Sequence, residues 1–525
     1  IVINMKQNVH VFLFFLLLSG AFFKANAQER YLDQVFSEVN VQKDVVYGVN
    51  ATILLQRQVG EAVPQALRLD LYTPVGDTRT DRPLVIYLHT GNFLPWPQNG
   101  GASGTRSDST VVDICTKLAK MGYVVASASY RLGWDPTNTV KDIRVFTLLN
   151  AAYRGVQDAR TAIRFFRRGV EEAGNPYGID PNKIVLWGQG TGGYLSTTTS
   201  SLDNYLKIPT ASDGKFLISV AGNIIPMVVP GVNGDIEGKT VGIVPPEFAA
   251  VLGLPAGDTL CYPNHVAQSS DFAMSVNMGG AVADTAWIDP GQKPMISIHT
   301  TNDPFAPYKE GLVLVPGTPP LEVVKVQGSY LIQKLSNDYG NNNKFAPTAR
   351  TWQDPYSKAS RVLNDGYEGL YPVVRSNLYD SSPWDFWSSS NPNDSLARRT
   401  NPDMSPEKAR KFIDTLIGYY APRACLTLGL GCNLSRYTNT VDLAPSEVGM
   451  EITPNPAQEV FTVKTASEYE IQSAILMDVT GKQMRTWNNV ANNVLEINRN
   501  DISGGAYFIK LKFKQGESTG KVILK

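Results

Sequence analysis

A glycine-dense turn between a short apolar run and a run of small residues is the feature that most constrains this fold. Residues 184–194 read IVLWGQGTGGY. The run 184–187 has the length and apolar character of a buried strand, and the small residues from Gly192 onwards begin a helix. Glycine tolerates the positive φ angles and close backbone contacts of a sharp turn. The segment therefore predicts a buried strand that turns abruptly into a helix.

The same turn has the setting of a catalytic nucleophile but lacks the nucleophile. In the G-x-S-x-G elbow of serine hydrolases, a strained strand-to-helix turn exposes a serine at its central position. The flanking elbow positions here are Gly188, Gln189, Gly192 and Gly193. The central position is Gly190, which has no side chain and cannot attack a substrate. We interpret Gly190 as a vacant nucleophile position.

The acid and base expected to accompany such a nucleophile are also incomplete. Along an α/β-hydrolase chain the order is Ser, then Asp or Glu, then His. Asp303 follows the apolar run 295–298 and takes the acid position. No histidine follows Asp303, and residues 327–330 fall where the base loop is expected. The base is therefore missing, and we expect serine-hydrolase chemistry to be impaired.

The histidines that the chain does contain have simpler explanations than catalysis. His89 ends a strand and is expected to order the loop that follows it. His299 similarly ends the strand that presents Asp303, and His265 lies in an irregular segment. Without an imidazole to orient, Asp303 itself is open to a second interpretation, in which it only braces its own loop.

Charge and cysteine content exclude several classes of protein. The 525 residues carry 48 basic and 48 acidic side chains, so nothing indicates a nucleic-acid partner. No Cys/His spacing typical of a metal site is present, and no cofactor motif appears. Cys425 and Cys432 bracket a glycine-containing loop and are the expected disulfide pair, whereas Cys115 lies on an amphipathic helix.

The first residues resemble a secretory leader. Met5 and Lys6 are followed by the apolar run 11–18 and by an A-x-A site at 25–27. We predict a signal peptide at 5–27 and no transmembrane segment in the mature chain.

The rest of the chain divides into two expected domains. Residues 28–435 alternate strands with helices, which predicts a mostly parallel sheet with helices on both faces. The Gly/Pro-rich segment 202–272 is expected to be an insertion or lid over the carboxyl edge of that sheet. Residues 436–449 are a polar linker, and 450–525 show the short alternating strands of a small immunoglobulin-like β-sandwich.

The larger domain resembles carboxylesterase-like α/β-hydrolases. The matching pieces, in order, are 88–91, 130–133, Asp158, 177–181, the elbow and 299–308. The resemblance implies an oxyanion loop at Thr90 and Gly91, with the backbone N–H of Thr191 completing it and the Thr191 side chain turned away. It departs from the family pattern at Gly190, at Thr90, where a glycine is usual, and at the lost histidine.

The tail resembles the C-terminal sorting domain of type IX secretion cargo. The pieces that carry the resemblance are 454–456, 478–482, 504–508 and 521–525. It implies a Bacteroidetes-type, Gram-negative bacterium, passage through the periplasm, contact with the type IX secretion machinery, and a secreted or surface location. An accessory binding sandwich is the alternative.

Two functions follow from this reading. The first is an exported pseudoenzyme that binds a small ester, glycan or peptide ligand. The second is an active exported hydrolase with a substitute set of catalytic residues. The loss of both nucleophile and base favours the first, because removing even one triad member leaves only residual activity.

Overall fold

The computed structural model describes residues 28–220, 222–315, 320–438 and 443–525. The predicted signal peptide at 5–27 lies outside these ranges.

The strands of the described ranges are distributed over the whole chain. They are β1 (Val39–Thr52), β2 (Val63–Pro74), β3 (Arg82–Leu88), β4 (Val124–Ala128), β5 (Ile179–Gln189), β6 (Leu217–Val220), β7 (Asn223–Pro226), β8 (Gly242–Ile243), β9 (Thr259–Cys261), β10 (Met274–Met278), β11 (Ala281–Val282), β12 (Met295–Thr300), β13 (Glu310–Val315), β14 (Leu321–Gly328), β15 (Leu370–Val373), β16 (Glu451–Thr453), β17 (Val460–Lys464), β18 (Ile471–Asp478), β19 (Gln483–Asn492), β20 (Val494–Asn498), β21 (Gly505–Lys512) and β22 (Glu517–Leu524).

The α-helices of the described ranges all lie before the tail. They are α1 (Gln56–Val59), α2 (Ser109–Lys120), α3 (Lys141–Glu172), α4 (Thr191–Ser201), α5 (Pro230–Asn233), α6 (Pro246–Leu252), α7 (Ser329–Asp338), α8 (Ala346–Ala349), α9 (Pro355–Arg361), α10 (Asp394–Ala397), α11 (Pro406–Leu428) and α12 (Ser435–Thr438).

An eight-stranded sheet organises the larger part of the chain, in the order β1-β2-β4-β3-β5-β10-β12-β15. The pairs from β4 to β15 are parallel, and β2 pairs antiparallel with both β1 and β4. Strand β3 is buried along its whole length, as is usual where helices cover both faces. The expected mostly parallel sheet is therefore confirmed.

Two apolar layers cover the sheet, one on each face. Along β3, Leu84 and Ile86 join one layer with α3, while Val85 and Tyr87 join the other with α2 and α11. This division follows from the two-residue period of a strand, which sends neighbouring side chains to opposite faces. Helix α11 begins as expected, because Ser405 Oγ accepts the N–H of Lys408 at 3.1 Å.

The segment 202–272 packs beside helix α3. Its stretch 233–238 accepts hydrogen bonds from Tyr153, Gln157, Arg160 and Arg164, a stripe of side chains on that helix. This stretch therefore lies against a helix that covers one face of the sheet. The expectation of a lid over the carboxyl edge is not met for this part of the segment.

The tail forms two antiparallel sheets of three and four strands, ordered β16-β17-β20 and β19-β18-β21-β22. Phe461 and Val463 of the first sheet share an apolar core with Ile509 and Leu511 of the second. The predicted small β-sandwich is therefore confirmed. Strands β19 and β20 were not predicted, because 483–498 is mostly polar and exposed.

Part of the expected linker belongs to the core of the tail. Leu443 and Val448 are buried within that core, and the Leu443 N–H donates to the Glu517 carbonyl at 2.7 Å. The folded tail therefore includes residues 443–448 of the expected linker. None of the described helices is long and apolar enough to cross a membrane.

The tail is expected to be dispensable for the stability of the larger domain. Truncation after Thr438 should change the thermal midpoint of that domain by less than about 2 °C. The reason is that the apolar clusters of the domain share no member with the cluster of the tail. Calorimetry of the full and truncated chains measures this, and a fall of about 5 °C or more would contradict it.

Candidate functional site

Gly190 lies at the tip of a sharp turn between β5 and α4, at the carboxyl end of the sheet. Its φ and ψ angles are 55° and −116°, a backbone conformation that residues other than glycine rarely adopt. The Gly190 N–H donates to the Met278 carbonyl at 2.7 Å, and the Gly190 carbonyl accepts the Tyr194 N–H at 3.1 Å. The predicted strand–turn–helix geometry is present.

The flanking glycines are required by close backbone approach. A Cβ on Gly188 would overlap the carbonyl of Gly192, and a Cβ on Gly192 would lie 2.8 Å from the His89 carbonyl oxygen. A Cβ on Gly193 would lie 3.0 Å from the Gly280 nitrogen. These distances are at or below the limit of real Cβ contacts, so helix α4 sits against β3 and the end of β10 at a distance that only glycine allows.

Thr90 occupies the space that a side chain on residue 190 would need. A Cβ built on Gly190 would overlap Thr90 Oγ1 and would lie 2.9 Å from Thr90 Cβ. The sequence shows Gly190 and Thr90 as two separate departures from the family pattern. In the structure they are coupled, because the threonine side chain occupies the volume that a Cβ on residue 190 would need.

The loop after β3 is ordered by His89 and Tyr130. The rings of these residues stack with centroids 4.7 Å apart, and the Tyr130 hydroxyl donates to the His89 carbonyl at 2.8 Å. Since that proton is used, the hydroxyl of Thr191 donates to the Tyr130 oxygen, 3.0 Å away. His89 Nδ1 lies 2.5 Å from the Thr90 carbonyl oxygen.

The environment of His89 supports a structural role for this histidine. Burial lowers the pKa of His89 to about 4, so the ring is neutral at physiological pH.

Thr191 begins helix α4, and its backbone N–H has no acceptor within the helix. Gly91 has a φ of 130°, and a Cβ there would lie 2.9 Å from the Gly104 Cα.

Asp303 braces the loop in which it lies. Its Oδ1 accepts the N–H groups of Phe305 at 2.8 Å and Ala306 at 3.0 Å. Its Oδ2 lies 3.6 Å from His299 Nε2, while that nitrogen lies 2.8 Å from the Ala306 carbonyl oxygen. These two hydrogen bonds support the interpretation that Asp303 braces its own loop.

The position expected for the base loop, residues 327–330, is wrong. Strand β14, which leads into it, belongs to a separate three-stranded sheet, β11-β14-β13. The strand that follows β12 in the main sheet is β15. The base loop of this fold is therefore residues 374–384, more than forty residues further along the chain, and it also contains no histidine.

Trp384 lies where that loop returns to the site. A Cβ on Gly279 would lie 3.6 Å from Trp384 Cζ2 and 3.8 Å from Asp303 Oδ2, so the indole and the carboxylate flank the same glycine. Trp384 is 1% exposed. Its indole N–H has no hydrogen-bond partner in the described part of the chain. An aromatic ring thus lies near the acid, in the loop that would carry the base.

A second polar cluster beneath the elbow was not found from the sequence. His299 Nδ1 lies 2.8 Å from Ser329 Oγ, and Asn277 Nδ2 donates to the same oxygen at 3.1 Å. Together with Asp303 these residues have the composition of a Ser-His-Asp triad. Ser329 and His299 are both fully buried. The spacing of His299 and Asp303 was visible in the sequence, but nothing in it placed Ser329 beside them.

A buried carboxylate joins the elbow to helix α2 and was also missed. Asp385 Oδ1 accepts the hydroxyl of Thr110 at 2.7 Å. Gln189, the residue before the vacant position, lies near this carboxyl group and accepts the Tyr87 hydroxyl at 2.7 Å. Burial raises the pKa of Asp385 to about 6.

Other residues singled out in the sequence have structural roles. Cys425 and Cys432 are joined by a disulfide, and Cys115 is buried and free. Arg131 and Asp158 form a fully buried ion pair, with Arg131 Nε 2.9 Å from Asp158 Oδ1. No group of three or more metal-ligating side chains occurs within the described ranges.

Comparison with protein families agrees with this geometry. Residues 69–219, which include β3, the Thr90 loop and the elbow, match the BD-FAE family model. Residues 451–525 match the model of the secretion system C-terminal sorting domain. The chain carries an esterase-like α/β-hydrolase domain and a sorting domain. No curated protein matches it significantly.

Solved structures similar to the chain include those of an esterase from Thermogutta terrifontis. Esterase 2 phosphorylated by paraoxon is 15% identical over 73% of this chain and 95% of its own, with a TM-score of 0.33. The native form is 16% identical over 72% and 92%, with a TM-score of 0.31. The fold of the esterase-like domain rests on its strand order and on the family match.

The clash between Thr90 and residue 190 predicts a strong coupling between the two positions. Gly190→Ser should lower the free energy of unfolding by about 1–3 kcal/mol, because it adds backbone strain to the overlap. Thr90→Gly removes the overlap, so the double variant should be more stable than the sum of the single changes predicts. A double-mutant cycle in urea measures the coupling. An additive result would contradict the proposed overlap.

Asp385 predicts a pH-dependent stability. Its folded pKa of about 6 exceeds the ordinary value of 3.8, so its contribution is fully present below pH 3.8 and is lost as the pH rises through 6. At pH 8 the charged form costs about 3 kcal/mol. Asp385→Asn should therefore become more stable, relative to the parent, as the pH rises from 4 to 8.

His89 has the opposite effect in an overlapping window. Its lowered pKa means that stability is lost as the pH falls from 6.5 towards 4. Asp385→Asn leaves that loss uncompensated, so the variant should show a steeper acid decline than the parent. Urea unfolding from pH 4 to 8 tests both points, with the exposed Asp338→Asn as control. A constant difference between Asp385→Asn and the parent would rule the effect out.

Proposed function

We propose that the chain is an exported pseudoenzyme of the esterase-like α/β-hydrolase fold. It lacks serine-hydrolase activity and acts by binding a small ester, glycan or peptide. The observation that carries this proposal is the position of Thr90, whose side chain fills the space of a nucleophile on residue 190. A nucleophile lost by a single substitution would leave that space open.

The base side of the site supports the same proposal. Removal of the nucleophile or the base from a serine hydrolase reduces catalysis to the residual effect of the oxyanion hole and binding. Here the loop after β15 carries no histidine, and the buried Trp384 lies beside Asp303. Asp303 in turn uses Oδ1 for the backbone of its own loop. Each of the three triad positions has thus been reassigned to packing or to bracing.

The sorting domain supports an extracytoplasmic location. A chain with this tail is a partner of the type IX secretion machinery, and we propose a Gram-negative host, a periplasmic route and the signal peptide at 5–27. We also propose that the larger domain spans 28–435 and that 450–525 act as the address. The burial of Leu443 and Val448 supports a tail that begins slightly earlier.

An active hydrolase is the second candidate, and one observation favours it. Ser329 Oγ lies 2.8 Å from His299 Nδ1, Asp303 Oδ2 lies 3.6 Å from the other ring nitrogen, and Ser329 is the first residue of α7. The start of a helix can stabilise an oxyanion through its N–H groups, although the Tyr330 N–H of α7 already donates to the Tyr308 carbonyl at 3.0 Å. Against this candidate, Ser329 and His299 are fully buried, so a substrate carbonyl has no route to the hydroxyl without local opening.

Labelling with a fluorophosphonate probe distinguishes the two candidates. The probe reacts with an activated serine and stays covalently attached, so the modified peptide can be identified by mass spectrometry. The pseudoenzyme proposal predicts no labelled serine in the parent chain. Labelling at Ser329 that is abolished in Ser329→Ala would establish the second candidate. Labelling of any other serine would equally overturn the pseudoenzyme proposal.

A further inference from the structure

A polar cleft lies at the end of the sheet opposite to the elbow. It has a volume of 570 Å³, which is within the usual range for small-molecule sites. Phe272 and Lys293 line it, and they lie just before β10 and β12. The cleft is therefore at the amino ends of these strands, whereas Gly190 lies beyond the carboxyl end of β5.

Helix α4 separates the two sites. Its first residue, Thr191, adjoins the vacant position, and Thr199 and Ser200 near its other end line the cleft. Nine residues of helix correspond to about 14 Å. The cleft is thus distinct from the hydrolase site, and a ligand there does not depend on whether the elbow is active.

The floor of the cleft is held rigidly. Arg160, which is 4% exposed, donates to the Thr199 carbonyl at 3.4 Å and to the Leu202 carbonyl at 2.8 Å. The same guanidinium group pairs with Glu237 at 2.7 Å, and Ser270 donates a further hydrogen bond to Glu237. Arg160 thereby satisfies carbonyls at the end of α4 and fixes the carboxylate that faces the cleft, as a preorganised site requires.

The charges that line the cleft cancel. Three basic and three acidic side chains line it, namely Arg160, Lys239, Lys293, Asp203, Glu237 and Asp271. Most are paired, as Lys293 is with Asp271 at 2.7 Å. The lining as a whole carries no net charge, so it offers no excess of either sign to an anionic or cationic ligand. The electrostatics of the cleft therefore favour a neutral ligand.

The remaining lining groups are hydrogen-bonding rather than apolar. Ser200, Gln268 and Gln292 supply hydroxyl and amide groups. Gln292 Nε2 is held by the carbonyls of Ser201 and Trp287, so its amide has a fixed orientation. The hydroxyl of Thr199, a residue that is 4% exposed, has no partner among the described residues.

We propose that this cleft is a binding site for a neutral, hydroxyl-rich ligand of the size of a disaccharide. Sugar hydroxyls donate and accept at once, and they match a lining of fixed carboxylate, guanidinium, amide and hydroxyl groups. The lining contains no exposed aromatic ring, since Phe272 is buried. Affinity therefore rests on hydrogen bonds and is expected to be weak.

Titration calorimetry of the full chain with cellobiose, xylobiose and maltose tests this proposal. At least one disaccharide should bind with a Kd near or below about 1 mM. Ala267 lines the cleft and is exposed, so Ala267→Trp should fill the cleft without disturbing the core and weaken binding at least tenfold. Ala250→Trp, on the exposed face of α6, is the matched control and should bind like the parent.

Three results would overturn the proposal. One is the absence of saturable binding by all three disaccharides, and another is binding that Ala267→Trp leaves unchanged. The third is tighter binding of inorganic phosphate or glycylglycine at the same place, since that would show that the cleft selects charge. None of these results bears on the labelling of serine, so a failure here is distinguishable from a failure of the pseudoenzyme proposal.

Discussion

The contact between helix α4 and the strands beneath it is the constraint on which this domain depends. The helix approaches β5, β3 and the end of β10 so closely that Gly188, Gly192 and Gly193 have no room for a Cβ. Backbone packed at this distance fixes the direction of the helix and the path of the turn before it. The geometry of the elbow is therefore also what holds the strands and the helix together, and it does not depend on a side chain at residue 190.

That packing role explains why the elbow keeps its path with a glycine at residue 190. Gly190 keeps the backbone of the elbow, with a φ of 55°, and relieves the strain that a side chain would suffer there. The volume released is taken by Thr90, and the loop that carries Thr90 is fixed by the stacked rings of His89 and Tyr130. The space beside Gly190 is therefore packed without a side chain on residue 190.

The sequence predicted most of the architecture because strands and glycine turns are local signals. The leading pair β1 and β2, the buried strand β3, the elbow and the tail strands β17, β18, β21 and β22 were all visible as short patterns. The base loop was misplaced because β13, β14 and three helices intervene between β12 and β15, and no local pattern tells which strand joins the main sheet. Two contacts join residues that are far apart in the sequence, namely Thr90 with residue 190 and Ser329 with His299. Such contacts are apparent only in the folded structure.

The two ends of the sheet now have different characters. In open α/β sheets, ligands bind outside the carboxyl ends of the strands, where catalytic groups can converge. In this chain that end carries Thr90 packed against Gly190 and the buried indole of Trp384. The carboxylate of Asp303 accepts hydrogen bonds from the backbone of its own loop. The amino end carries a cleft whose arginine and carboxylate are held rigid by the end of α4. Because α4 spans both ends, the close packing at the elbow also fixes the floor of the cleft, and the binding proposed there uses none of the residues of the elbow.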